Sequence, residues 1–148
     1  MGFILNDYIF SDEIVSFMYR GNDILTKEDI KRLVDTFYSK VRQDELLAPI
    51  FSKQIQDRWP EHLGKMYTFW QTVLLGDRTY FGSPFPPHAH LPIDHSHFAR
   101  WIELFTSTVD TLFEGEKANE AKLRAGKMSE MFQIKIEYYK THGFRHIL

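Results

Sequence analysis

Seven histidines and no cysteine stand in this 148-residue chain, so any metal chemistry falls to imidazole or carboxylate. Four of the histidines, His88, His90, His95 and His97, lie close together in the sequence. Imidazole is the commonest side-chain ligand of transition metals, and the His-X-His pairs 88/90 and 95/97 have a spacing that suits a bare metal ion. No acidic or cysteine motif completes a zinc signature around them. The plainer reading of each is a solvated or helix-capping imidazole. The lack of cysteine also removes disulfides, iron–sulfur clusters and thiolate nucleophiles.

The elements around these histidines read as helices. Thr26-Lys27-Glu28-Asp29 has the form of a capping box, and Ile30, Leu33, Val34, Phe37, Tyr38 and Val41 follow at helical spacing. Pro49 breaks that pattern and puts Phe51 at a corner. Pro60 suits the first turn of a further helix with His62, Met66, Phe69, Trp70, Val73 and Leu74 on its core face, ending at Gly76. From Asp77 to Pro92 four prolines and a glycine exclude a long helix, so His88 and His90 fall in an irregular segment. Asp94 caps a long helix carrying Phe98, Trp101, Ile102, Phe105, Val109 and Leu112. A last helix aligns Ala121, Ala125, Met128, Phe132 and Ile136 and ends around Gly143. Ahead of all this, Ser11 is a candidate cap for a short helix with Ile14, Val15, Phe17 and Met18, closed by Gly21. No strand alternation lasts long enough to predict a sheet, so the fold class is all-α, with four substantial helices flanking one histidine-bearing segment.

Length and composition agree with one globular domain, 1–148. No apolar run reaches the ~20 residues of a membrane span, and the first residues carry no secretory signal, which makes the cytoplasm the expected location. A net charge of −2 without a Lys/Arg cluster argues against nucleic acid or membrane partners. Aromatic residues make up 16% of the chain, enough to line a broad apolar slot as well as to fill a helical core.

The segments FYSKVRQDELLAPIF, WPEHLGKMYTFWQTVLLG and YFGSPFPPHAHLPIDHSHFARWIELF resemble, in order and spacing, the group III truncated haemoglobins. The resemblance covers roughly residues 26–142 as a globin core, with 1–25 as an N-terminal extension. It implies a two-over-two helical sandwich holding haem b, with His88 as the metal ligand to iron and His90 as its rival. It assigns Tyr38, His62 and Trp101 to the distal side, where they would stabilise a bound ligand. Phe51 matches the corner phenylalanine that packs on the haem. Met66, Phe69, Trp70, Phe85, Leu91 and Phe98 are further candidates for lining the cofactor pocket, or for packing helix on helix.

Several hydrogen-bond donors around one ligand favour retention over release, so the resemblance points to redox chemistry, detoxification or sensing of O2, NO, CO or peroxide rather than to O2 transport. Activity of an NO dioxygenase-like or peroxidase-like kind would need an external electron donor, since the chain ends soon after its last helix. Two other readings stay open: a non-haem metal site built from His88, His90, His95 and His97, and a helical interaction domain with no cofactor.

Overall fold

The computed structural model describes residues 2–5, 8–11 and 22–143. The first two stretches are strands, β1 (Gly2–Leu5) and β2 (Tyr8–Ser11), paired antiparallel with Gly2 opposite Ser11. Each is four residues long, too short for alternation to stand out in the sequence. The short helix expected after Ser11 lies outside the described residues.

Everything from residue 22 to 143 is helix or connection. α1 (Lys27–Val41) opens with the expected capping box: Asp29 N donates to Thr26 Oγ1 at 3.2 Å and Thr26 N to the Asp29 carboxylate at 3.0 Å. It buries Ile30, Leu33, Val34, Phe37, Tyr38 and Val41, the six residues selected by periodicity. α2 (Ala48–Ile55) is a helix that the sequence reading left out. Pro49 stands in its first turn, where a missing N–H costs nothing, so Phe51 lies within a helix and not at a bare corner. Asp44 supports its start, accepting from Leu46 N and Leu47 N at 3.2 and 3.0 Å and pairing with Arg100 Nε at 2.7 Å.

α3 (Trp59–Leu75) carries Pro60 in its first turn and stops at Gly76, whose φ of 72° is the left-handed conformation that glycine adopts freely. The following connection holds a single 3₁₀ turn, Pro86–His88. α4 (His95–Leu112) begins at Asp94, whose carboxylate accepts from Ser96 N at 2.9 Å, while His97 Nδ1 accepts from Asp94 N at 3.1 Å. α5 (Glu116–His142) completes the set.

α1 packs against α3 and α4, α4 against α5, and α3 against α5, so two helix pairs cross as a two-over-two sandwich. Phe105 of α4 is fully buried where the layers meet. Its ring stacks between Trp70 at 5.0 Å and Trp101 at 5.5 Å and meets the edge of Phe37. Part of the aromatic excess thus builds the core itself. Among the described residues no helix is long and apolar enough to cross a membrane.

The start of α5 has no cap of its own, because Gly115 has no side chain. Asp23 reaches it from before α1, accepting from Lys117 N and Ala118 N at 2.8 Å each and from Ile24 N at 2.8 Å. A Cβ on Gly115 would meet Asp23 Cγ at 2.6 Å, and its φ of 144° also suits glycine alone. Burial raises the Asp23 pKa, but the three N–H donors and the charge of Lys117 more than offset this, so the carboxyl titrates below its usual range. Asp23→Ala is expected to cost about 2 kcal/mol in urea unfolding. Because the folded pKa is depressed, that contribution is complete above about pH 4 and fades as pH falls through the folded value. Wild type and variant should therefore converge in stability in acid.

Candidate functional site

A cavity of about 780 Å³ lies between the helix layers, bounded by α1, α2 and α3, by the segment after α3, and by α4 and α5. α1 contributes Phe37 and Tyr38, and α2 contributes Phe51. α3 contributes His62, Met66, Phe69 and Trp70, which share a face because they recur at helical spacing. His88 and Leu91 enter from the irregular segment, and Phe98 and Trp101 from α4.

Of the residues selected from the sequence, Phe85 is not among those lining the cavity. The 3₁₀ turn carries its ring to a second hydrophobic cluster, stacked on Tyr139 at 5.6 Å and edge-on to Phe132 at 5.3 Å.

His88 closes the 3₁₀ turn. Its Nδ1 lies 2.6 Å from the Pro84 carbonyl oxygen, and a carbonyl only accepts, so Nδ1 donates and the lone pair resides on Nε2. Phe132 packs on the ring with centroids 4.8 Å apart. Burial pushes the His88 pKa down and the Pro84 bond pushes it up, with a net lowering that keeps the ring neutral at pH 7. A neutral imidazole oriented through one nitrogen by a backbone carbonyl is the form in which histidine binds metals.

The other three histidines of the group do not converge with it. His90 is exposed and does not line the cavity. His95 is exposed and bonded through Nδ1 to Gln133 Oε1 at 3.0 Å. His97 lines the cavity but is occupied by its capping bond. Among the described residues no group of three or more His, Cys, Asp or Glu side chains is placed to hold a metal ion.

Tyr38 and His62 form a second polar pair, with rings edge-on at 5.0 Å. Burial alone pushes the Tyr38 phenol well above its usual pKa. His62 Nε2 is buried with no partner, the only such side-chain atom among the described residues. Burial, followed by the charges of His88 and Lys65, lowers the His62 pKa to about 4, so this ring is neutral as well. Leaving a buried polar group unpaired costs about 1–3 kcal/mol, which marks a place for a hydrogen-bonding occupant. An apolar cavity with one oriented imidazole and an unpaired polar atom fits a haem with a small ligand.

Sequence reasoning missed Trp59. It is buried at the start of α3, edge-on to Tyr38 at 5.9 Å and to His62 at 5.8 Å, with the Arg42 guanidinium 4.5 Å from its centroid. It precedes the residue at which that helix was expected to begin, so no core periodicity pointed to it. Phe132 was read as core and also lines the cavity.

The sandwich and its imidazole-bearing cavity define a globin. Comparison with known proteins agrees: the Bacterial-like globin family matches residues 22–135. The chain is 33% identical over 124 residues to a group 3 truncated hemoglobin of Campylobacter jejuni, covering 81% of this chain and 98% of the relative. The crystal structure of a group III truncated hemoglobin from Campylobacter jejuni superposes with a TM-score of 0.71 at 34% identity, covering 81% of this chain and 96% of that one. The chain belongs to the bacterial-like globins, as a truncated haemoglobin of group III. Membership implies a haem cofactor.

Proposed function

We propose that this globin binds haem b through Nε2 of His88 and holds O2, NO, CO or peroxide against Tyr38, His62 and Trp101, for redox chemistry, detoxification or sensing rather than O2 transport. The observation that carries this reading is the buried, unpaired Nε2 of His62, its ring edge-on to Tyr38, on the cavity that His88 also lines. When bound, haem supplies an iron centre at which such ligands bind and exchange electrons.

The chain's own residues do the rest. The Pro84 carbonyl fixes the tautomer and orientation of His88 and increases the basicity of Nε2. Phe51, Met66, Phe69, Leu91 and Phe98 keep water from the apolar body of the cofactor, and Trp70 carries that wall into the core. Tyr38 donates its hydroxyl hydrogen to the ligand, and the Trp101 indole, a donor only, points the same chemistry from α4. His62, neutral, donates or accepts according to its tautomer. A hydrogen bond to a charged group is worth about 1.5–3 kcal/mol, so two or three together make retention dominate over release. Turnover draws electrons from an external donor.

The test is a titration of ferric haem into the purified chain. The expected result is a Soret band at about 400 nm that saturates at one haem per chain. A flat titration, or purified protein that carries zinc without porphyrin, overturns the reading.

A further inference from the structure

Between Asp77 and Pro92 one side chain is buried, that of Phe85. Three residues on one face of α5 grip its ring. Tyr139 stacks on it at 5.6 Å, Phe132 meets it edge-on at 5.3 Å, and Lys135 Nζ lies 5.0 Å from its centroid. The two carbonyls that flank the Phe85 Cα each take one bond from His88. The Pro84 carbonyl accepts from Nδ1 at 2.6 Å, and the Phe85 carbonyl accepts from the main-chain N at 2.7 Å. Phe132 packs on the imidazole as well, with centroids 4.8 Å apart, so the same helix face meets both the anchor and the histidine.

A residue before proline prefers extended backbone, and Phe85 precedes Pro86, yet it holds φ −73° and ψ −47°. The buried ring supplies what local preference does not. We propose that Phe85 is a positioning residue for His88: anchored on α5, it holds the two carbonyls that fix the direction and the tautomer of the imidazole, so that Nε2 is the nitrogen left to bind metal. This rests on the reading of His88 as the haem ligand, and adds that α5 sets the aim of that ligand through a residue that does not line the cavity. An imidazole whose Nδ1 donates to a carbonyl is more basic at Nε2. A turn released from its anchor gives up that bond.

Heteronuclear NMR of the chain without haem is expected to show the His88 imidazole as the Nδ1–H tautomer alone in the wild type, and as a mixture with the Nε2–H tautomer in Phe85→Ala. In the haem-loaded ferrous chain the iron–imidazole stretching band, read by resonance Raman, should broaden and move to lower wavenumber in the same variant, because Nε2 loses basicity with the Nδ1 bond. Phe85→Leu keeps an apolar anchor without a ring to stack. It should fall between wild type and Phe85→Ala in both readouts, and it carries the test if the alanine variant does not fold. Ile136→Ala removes apolar volume from the same cluster, and should lower the unfolding midpoint while leaving tautomer and band as in the wild type. A tautomer and band unmoved by the Phe85 variants, or moved as far by Ile136→Ala, overturns the proposal. A flat haem titration beside a tautomer that follows Phe85 counts against the haem reading while upholding the Phe85 anchor. A normal Soret endpoint beside a tautomer indifferent to Phe85 does the opposite.

Discussion

His88→Ala is expected to abolish the stoichiometric Soret band in the haem titration, while His90→Ala should leave both the band and its endpoint intact. The two residues are only two positions apart, and the 3₁₀ turn separates them. It places His88 on the cavity with Nδ1 tied to Pro84, and leaves His90 exposed outside the lining. Alanine at 88 removes the one uncommitted imidazole that the segment offers to the cavity, since His97 is held in the cap of α4. Loss of a metal's only protein ligand is a large effect, seen as disappearance of the specific complex rather than a modest weakening. The outcome that sinks the assignment is a His88→Ala protein with an unchanged spectrum, or a His90→Ala protein without one.

Tyr38→Phe is expected to speed O2 dissociation from the ferrous protein at least about tenfold. The substitution keeps the ring that meets Phe37, Phe51, Trp59 and His62 edge-on, and removes only the hydroxyl. The hydrogen bond lost is worth about 1.5–3 kcal/mol, and each 1.4 kcal/mol is tenfold in an equilibrium constant. Because the buried ring keeps its place and its neighbours, thermal stability should change little. Stopped-flow displacement of O2 by CO reads the rate. An unchanged rate removes Tyr38 from ligand stabilisation and leaves His62 and Trp101 to supply it.

Periodicity read some parts of this molecule closely and others not at all. α1 was legible in full because one face of a fifteen-residue helix repeats its apolar residues several times. The Asp94 cap was legible because capping chemistry is local. α2 was not, because eight residues carry too few repeats, and a proline in a first turn looks the same as one that ends a helix. Asp23 reaches the start of α5 from far away in sequence, and such a cap has no local signature. In the site, residues carried by a long helix face, such as Met66 and Phe69, could be selected by spacing. Phe85 could not be oriented, because a 3₁₀ turn between prolines has no period from which to read a direction. The choice of His88 over its neighbours came from family resemblance, and spacing alone left four histidines in play.

Proline also sets the cost of occupying the cavity. Pro84, Pro86 and Pro87 hold φ at three of the five positions that end in His88, and the Pro84 carbonyl ties down the imidazole. The backbone on this side has therefore already surrendered most of its conformational entropy in folding, before any cofactor arrives. Little would remain to be ordered on association, so iron held by His88 as proposed would meet a preorganised ligand, and the empty and filled forms should differ least at that residue.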